Sequence, residues 1–129
     1  MNPYTYLERL ENILYSRQDI TTEEFRVQFR GLVILFHATL RFQDASQLHI
    51  FEELKLSEKR KLQRFKFRYH YQSTDGRLIF RYDNSPHYPH LITFPSHKHI
   101  GNDVIAADPP EFADVLHEID AIIYPETDK

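Results

Sequence analysis

The sequence predicts an α+β domain: a single antiparallel sheet of about five strands, a meander, flanked by an N-terminal and a C-terminal helix. Three observations lead to this prediction. An apolar stripe at helical spacing lies near each end of the chain, apolar residues occupy alternate positions in between, and Asp75-Gly76 is a strong hairpin signal. A chain of 129 residues is long enough for one two-layer core, so we expect one domain over 1–129.

Both predicted helices have start signals. In the first, Asn2 can cap and Pro3 suits the first helical position. Its apolar stripe consists of Tyr6, Leu7, Leu10, Ile13 and Leu14. In the last helix, Asp108 and Glu111 resemble a capping box and Pro125 ends the pattern. Its stripe consists of Phe112, Val115, Leu116, Ile119, Ile122 and Ile123.

Between the helices the apolar period changes to two, which is typical of half-buried strands. The alternating runs span residues 25–29, 34–42, 48–50, 65–71 and 78–82. Gly31 and the turn at Asp44 separate the early runs. The stretch from residue 84 to 101 contains three prolines and no long alternation, so we expect a proline-rich loop that leads to the last helix.

The hairpin around Asp75-Gly76 is predicted to have one aromatic and one charged face. The aromatic face would carry Phe65, Phe67, Tyr69, Tyr71, Phe80 and Tyr82, and the charged face Arg64, Lys66, Arg68, His70, Arg77, Arg81 and Asp83. A two-residue loop places His70 opposite Arg81 and Arg68 opposite Asp83, whereas a three-residue loop would break this register. We expect nucleic acid to contact Arg64, Lys66, Arg68, His70 and Arg77.

Composition excludes several classes of protein. Without cysteine there are no disulfides or thiolate metal sites, and the longest apolar run, Leu32–Phe36, is far shorter than a membrane helix. No secretory signal pattern is present, so we expect a cytoplasmic protein without a membrane partner. The formal charge is −3, yet 55–68 holds seven basic residues and one acidic residue, which permits a local polyanion site.

Four of the eight histidines fall within 13 residues, at positions 87, 90, 97 and 99. One of them could transfer protons near neutral pH. Alternatively, His97 and His99 could bind a metal ion together with His87 or His90, or the histidines could have a purely structural role. With only three glycines there is no Gly-rich phosphate loop, so we expect acid–base chemistry without a cofactor.

The segment Leu78–His87, followed by Thr93–His99, resembles the TumE-like toxin family of bacterial toxin–antitoxin systems. The matching positions are Arg81, Tyr82, Asp83, Asn84, Pro86, His87, Phe94, Pro95, His97, Lys98 and His99. Upstream, Tyr69-His70-Tyr71-Gln72 is similar to the aromatic strand of the family. The resemblance covers the central and C-terminal two-thirds of the chain, and it implies a small intracellular toxin neutralised by a helix-turn-helix antitoxin.

Two functional hypotheses follow. The first is a toxin that acts on RNA, a metal-independent, ribonuclease-like activity in which one of His70, His87, His97 or His99 is the base and Arg81 and Lys98 stabilise charge on the phosphate. Its catalytic candidates are Arg81, His87, His97, Lys98 and His99. The alternative is a non-catalytic module that binds the helix-turn-helix partner through the loop and the acidic last helix. Exposed edge strands also permit a homodimer.

Overall fold

The computed structural model describes residues 3–59 and 61–125, which form a helix, seven strands and a second helix. The elements are α1 Pro3–Tyr15, β1 Thr21–Arg30, β2 Val33–Arg41, β3 Gln47–Leu56, β4 Leu62–Gln72, β5 Leu78–Asp83, β6 His97–Ile100, β7 Asp103–Ala106 and α2 Phe112–Ile123. The strands follow sequence order in one antiparallel sheet. The predicted fold class is confirmed, with seven strands where about five were expected.

The two additional strands come from the segment that the sequence predicted as a loop. Strand β6 pairs with β5, placing His97 beside Asp83 and His99 beside Arg81. Gly101, which has a positive φ of 58°, begins the tight turn into β7. Each of the two strands has four residues, too few for an alternating pattern to stand out, and three residues of β6 are polar.

Both helices cover the same face of the sheet, here called the inner face. The buried core combines Leu7, Leu10 and Leu14 of α1, Phe112, Val115, Leu116 and Ile119 of α2, and sheet residues that include Phe36, Leu40, Leu48, Ile50, Tyr69 and Tyr71. Arg17, just after α1, donates two hydrogen bonds to Asp120 of α2, at 3.1 and 2.7 Å. The opposite, outer face carries no helix among the described residues. None of the described helices has the length and apolarity needed to cross a membrane.

The start of α2 differs from the prediction. Glu111 is the N-cap, and the capping box joins it to Asp114, whose Oδ2 accepts a hydrogen bond from the Glu111 N–H at 3.0 Å. Asp108 is therefore not part of the box, because the helix begins only at Phe112 and the third residue after the cap is Asp114. The predicted cap of α1, Asn2, lies outside the described residues.

The β4–β5 hairpin contains the predicted residue pairs, although its loop is longer than the two residues assumed. Three residues separate Ser73 from Arg77, whose carbonyl accepts a hydrogen bond from the Ser73 N–H at 2.9 Å. This loop length alone would shift the register by one residue. A bulge at Ile79 restores it, so His70 pairs with Arg81, as predicted, and Arg68 pairs with Asp83.

A second bulge changes which face Arg64 occupies. Leu54 pairs with Arg64 and Glu53 with Lys66, so Phe65 has no partner in the ladder. The sequence had placed Phe65 on the inner aromatic face, and this prediction is wrong: the side chain is 42% exposed. Arg64 instead lies on the inner side, where it donates a hydrogen bond to the Pro110 carbonyl at 2.7 Å.

Glu52 is a buried carboxylate at the centre of the inner layer. Its two oxygens accept hydrogen bonds from Tyr6 of α1, at 2.6 Å, and from Tyr69 of β4. Arg64 lies 3.8 Å from the same carboxylate and also donates to the Tyr69 hydroxyl. Burial, followed by the charge of Glu52, raises the pKa of both tyrosines, so their hydroxyls remain protonated donors.

We expect Glu52→Ala to lower the free energy of unfolding by about 2–4 kcal/mol, because it removes the acceptor of two buried hydroxyls and the counter-charge of Arg64. Urea unfolding measures the loss. Glu53→Ala is the matched control, since its side chain lies on the outer face, and it should cost much less. Equal losses in the two variants would contradict a special role for the buried carboxylate.

Candidate functional site

Polar side chains form two neighbouring cross-strand rows on the outer face. The first row is Arg26, His37, Phe51, Arg68, Asp83 and His97. The second row is Thr39, His49, His70, Arg81 and His99. Five of the eight histidines of the chain therefore lie on one face of the sheet. A row of imidazoles interrupted by guanidinium groups is suited to binding anions and moving protons.

Asp83 lies at the centre of the cluster that these rows form at β5 and β6. Its Oδ1 accepts a hydrogen bond from the Ser85 N–H at 3.0 Å and lies 3.0 Å from Nε2 of His97. Its Oδ2 lies 3.3 Å from Nε of Arg81 and 3.5 Å from Nε2 of His99. The carboxylate is buried, and three cationic or potentially cationic groups compensate its charge.

The hydrogen bonds of His97 restrict its protonation. Its Nδ1 lies 2.9 Å from the Pro95 carbonyl, which can only accept, so the Nδ1 atom carries a proton. Its Nε2 faces the Asp83 carboxylate, and an ionised carboxylate can also only accept. At 3.0 Å, Nε2 and Oδ1 are close enough to share a proton or to be ligands of the same metal ion. With 1% of its surface exposed, His97 cannot exchange these partners for water.

The loop between β5 and β6 covers one side of the cluster. The ring of Tyr88 lies 4.8 Å from that of His97 and 5.9 Å from that of His99. Asn84 anchors the start of the loop by bonding backbone groups of both Phe65 and Phe67. The side chains of Arg81 and His99 stay 35% and 25% exposed, so the open side of the cluster is the side on which these two residues lie.

His70 occupies the position next to Arg81 on β4. Its ring lies 6.2 Å from that of His49, whose Nδ1 is 3.3 Å from the Thr39 hydroxyl. Burial, then the charges of Arg81 and His49, lower the pKa of His70. Burial likewise lowers the pKa of His37 and of His99. His70 is therefore uncharged near pH 7 and able to accept a proton.

Three of the five catalytic candidates lie together, and the other two lie elsewhere. Arg81, His97 and His99 lie together around Asp83. Lys98 faces the inner side, where its Nζ donates to Glu118 at 2.6 Å, because residues 97–100 form a strand and neighbours along a strand point to opposite faces. His87 is exposed in the loop, and its neighbour Tyr88 makes the ring contact with His97.

The five candidates for nucleic-acid binding do not all lie on one face of the sheet. Lys66, Arg68 and His70 lie on the outer face as predicted, and Arg68 extends over the ring of Phe51 at 5.5 Å. Arg64 is on the inner side. Arg77 is exposed at the hairpin turn and lines a surface depression together with Ile122 of α2, away from the cluster.

The sequence reasoning did not include Asp83, Tyr88, His37 or His49 among the site residues. Asp83 was already placed opposite Arg68 by the predicted register, so its position next to the charged row could have been used. His37 and His49 each stand between two buried apolar residues of an alternating run, which is the sequence signal of an outer-face side chain. No comparable signal exists for Tyr88, because a loop conformation places its ring.

We expect the protein to lose stability as the pH falls from about 7.5 to 5.5. The pKa values of His37 and His70 are lower in the folded than in the unfolded state, so the unfolded chain binds protons first on acidification and unfolding becomes easier. Thermal unfolding of His70→Gln should show a smaller drop in Tm over this range than the native chain. His117→Gln, at an exposed histidine of α2, is the control, and an equally reduced drop there would contradict the assignment to His70.

Comparison with known proteins agrees with the family resemblance in the sequence. The family model described as Toxin TumE matches residues 7–124, from α1 to the residue after α2. The match therefore extends the resemblance to nearly the whole chain. No curated protein and no solved structure matched.

Proposed function

Because the chain belongs to the TumE toxin family, we propose that this toxin acts on RNA and cleaves the phosphodiester backbone at the outer face, beside Arg81. One observation carries the proposal: Arg81 stands between His70 and His99 in a single cross-strand row, with a partly exposed guanidinium. A guanidinium offers paired donors that fit a phosphate, and neighbouring strands are about 4.8 Å apart, so both imidazoles lie next to a phosphate bound there.

The cleavage follows from these positions. Arg81 holds the phosphate and stabilises the negative charge that develops on its oxygens. Neutral His70 takes the proton of the 2′-hydroxyl, whose oxygen attacks the phosphorus and forms a 2′,3′-cyclic phosphate. The bond to the 5′-oxygen breaks, and that oxygen takes a proton from water on the solvent side of His99.

The basic residues of β4 extend the binding surface. Lys66 and Arg68 are exposed on the outer face, in line with His70 on the same strand. Because the net charge of the chain is −3, this local group rather than the whole surface would attract RNA.

We expect Arg81→Ala to reduce RNA cleavage by about 100-fold or more and to abolish growth arrest after controlled induction in a bacterium. Arg9→Ala, at an exposed arginine of α1 on the helix side, is the matched control and should keep both activities. Arg81→Lys preserves the charge but not the paired donors, so it should regain only part of the rate. Circular dichroism and soluble expression verify that the variants fold.

Growth arrest by the Arg81→Ala variant at the native level would contradict chemistry at this face. Absence of RNA cleavage, together with a stable complex with a co-expressed antitoxin, would instead favour the non-catalytic interaction module. The toxin family implies an antitoxin partner. Its helix-turn-helix type, a homodimer through an edge strand and a cytoplasmic location are further parts of the proposal.

The salt dependence of RNA binding provides a second test. Each phosphate contact to single-stranded RNA contributes about 0.7 to the slope of log affinity against log salt. Lys66→Ala and Arg68→Ala should each weaken binding and reduce the slope by about that amount, measured by fluorescence anisotropy with a short labelled RNA. Arg9→Ala should leave the slope unchanged. Unaltered slopes for Lys66→Ala and Arg68→Ala would place the RNA elsewhere.

A further inference from the structure

A group of three potential metal ligands occupies the centre of the candidate site. One ligand atom each from Asp83, His97 and His99 lies within 4.8 Å of the others. Two histidines and one carboxylate are a ligand set that divalent transition metals bind. The members come from paired strands, Asp83 from β5 and the two histidines from β6, so the backbone ladder fixes their relative positions.

The distances from the Asp83 carboxylate to the two imidazoles are close to those between ligands of one ion, and a small movement of side chains would bring all three groups to bonding distance. Two atoms bound to the same metal at about 2.1 Å lie about 3.0–3.4 Å from each other in tetrahedral or octahedral geometry. The Asp83 oxygens lie 3.0 Å from Nε2 of His97 and 3.5 Å from Nε2 of His99. His99 is the most exposed of the three, so its ring is the one with room to adjust.

The surroundings of His97 match those of a metal-binding histidine. Such a histidine usually donates its second ring N–H to a carbonyl or carboxylate, which fixes the tautomer and leaves the other nitrogen free to coordinate. His97 does this with the Pro95 carbonyl, so its Nε2 is directed at Asp83. Asp83 in turn is oriented by the Ser85 N–H. These bonds leave Nε2 of His97 and the carboxylate of Asp83 facing each other as potential ligands of one ion.

We propose that Asp83, His97 and His99 bind one divalent transition metal ion, with zinc as the first choice among metals that accept two imidazoles and a carboxylate. The proposal goes beyond RNA cleavage, because the site needs no substrate. It is an alternative to the metal-independent chemistry that the sequence led us to expect. It is also an alternative to a three-histidine metal site in which His87 or His90 would be the third ligand. If the proposed function also holds, the ion lies next to Arg81 and polarises the same phosphate. The side chain of Arg81 is 35% exposed, so part of it remains accessible to the substrate beside the ion.

Metal binding by the purified full-length protein tests the site. After removal of any histidine tag and dialysis against a chelator, Zn²⁺ is titrated calorimetrically, and Co²⁺ is titrated while its ligand-field absorption is recorded. We expect one ion per chain, absorption typical of nitrogen and oxygen ligands, and a higher Tm with metal. Asp83→Asn and His99→Gln should each weaken metal binding by at least about 100-fold. This is more than the loss of a residue that only hydrogen-bonds to a metal ligand costs.

The control variants are His87→Gln and His117→Gln, both at exposed histidines, and both should bind the metal normally. Failure of the native chain to bind either ion would overturn the proposal. Native-level binding by Asp83→Asn and His99→Gln would also overturn it, provided that circular dichroism shows both variants to be folded. Weakened binding in His87→Gln would support the three-histidine site instead. Metal binding that persists while Arg81→Ala is still toxic would refute only RNA cleavage at this face. Arg81-dependent cleavage without metal binding would refute only the metal site.

Discussion

The register of β4, β5 and β6 determines which side chains the rest of the structure can use. A one-residue shift in a strand moves every side chain to the opposite face, so a single bulge has large consequences. The bulge at Phe65 turns Arg64 inward, and the bulge at Ile79 brings Arg81 back into line with His70. Without the second irregularity, the hairpin loop would separate the guanidinium from the imidazole that it faces.

Among the residues that the structure describes, each face of the sheet contains one buried carboxylate, and the charges of the two are compensated in different ways. Glu52, below the helices, accepts hydrogen bonds from two tyrosine hydroxyls that stay protonated, with Arg64 nearby. Such an arrangement is fixed and structural. Asp83 is surrounded by His97, His99 and Arg81, groups that can lose a proton, bind a metal or turn towards a ligand.

Much of the fold could be predicted because the periodic apolar patterns of its helices and strands extend over many residues. The stripe of α2 repeats over several turns and the alternation over 34–42 over several residue pairs, and packing against the core agrees with both. The pairing of His70 with Arg81 was predicted correctly although the loop length was wrong, since loop and bulge cancel. The positions of Lys98 and Arg64 could not be obtained in this way. One depends on a four-residue strand and the other on a bulge, and neither leaves a periodic pattern.

The candidate site could be predicted only in part for a related reason. A cluster of histidines in the sequence indicated the segment, and it included His97 and His99, which the structure brings together at Asp83. The third member of the cluster is not the exposed His87 but Asp83, which reaches them through the ladder between β5 and β6. Tyr88 reaches them through the path of a loop. Sequence proximity identifies such a segment, whereas strand pairing decides which of its side chains meet.

The two layers of the protein are completed by segments that are far apart in the order of synthesis. The contacts around Asp83 lie within a stretch of 81–99, whereas the bonds of Arg17 to Asp120 and of Tyr124 to Asp19 span 103 and 105 residues. Helix α2 follows every strand in the chain, so it can cover the inner face only after the residues of the sheet have been synthesised. Until then the inner face of the sheet lacks half of its cover. A chain that stops before α2 would therefore leave the apolar residues beneath this helix exposed on the inner face.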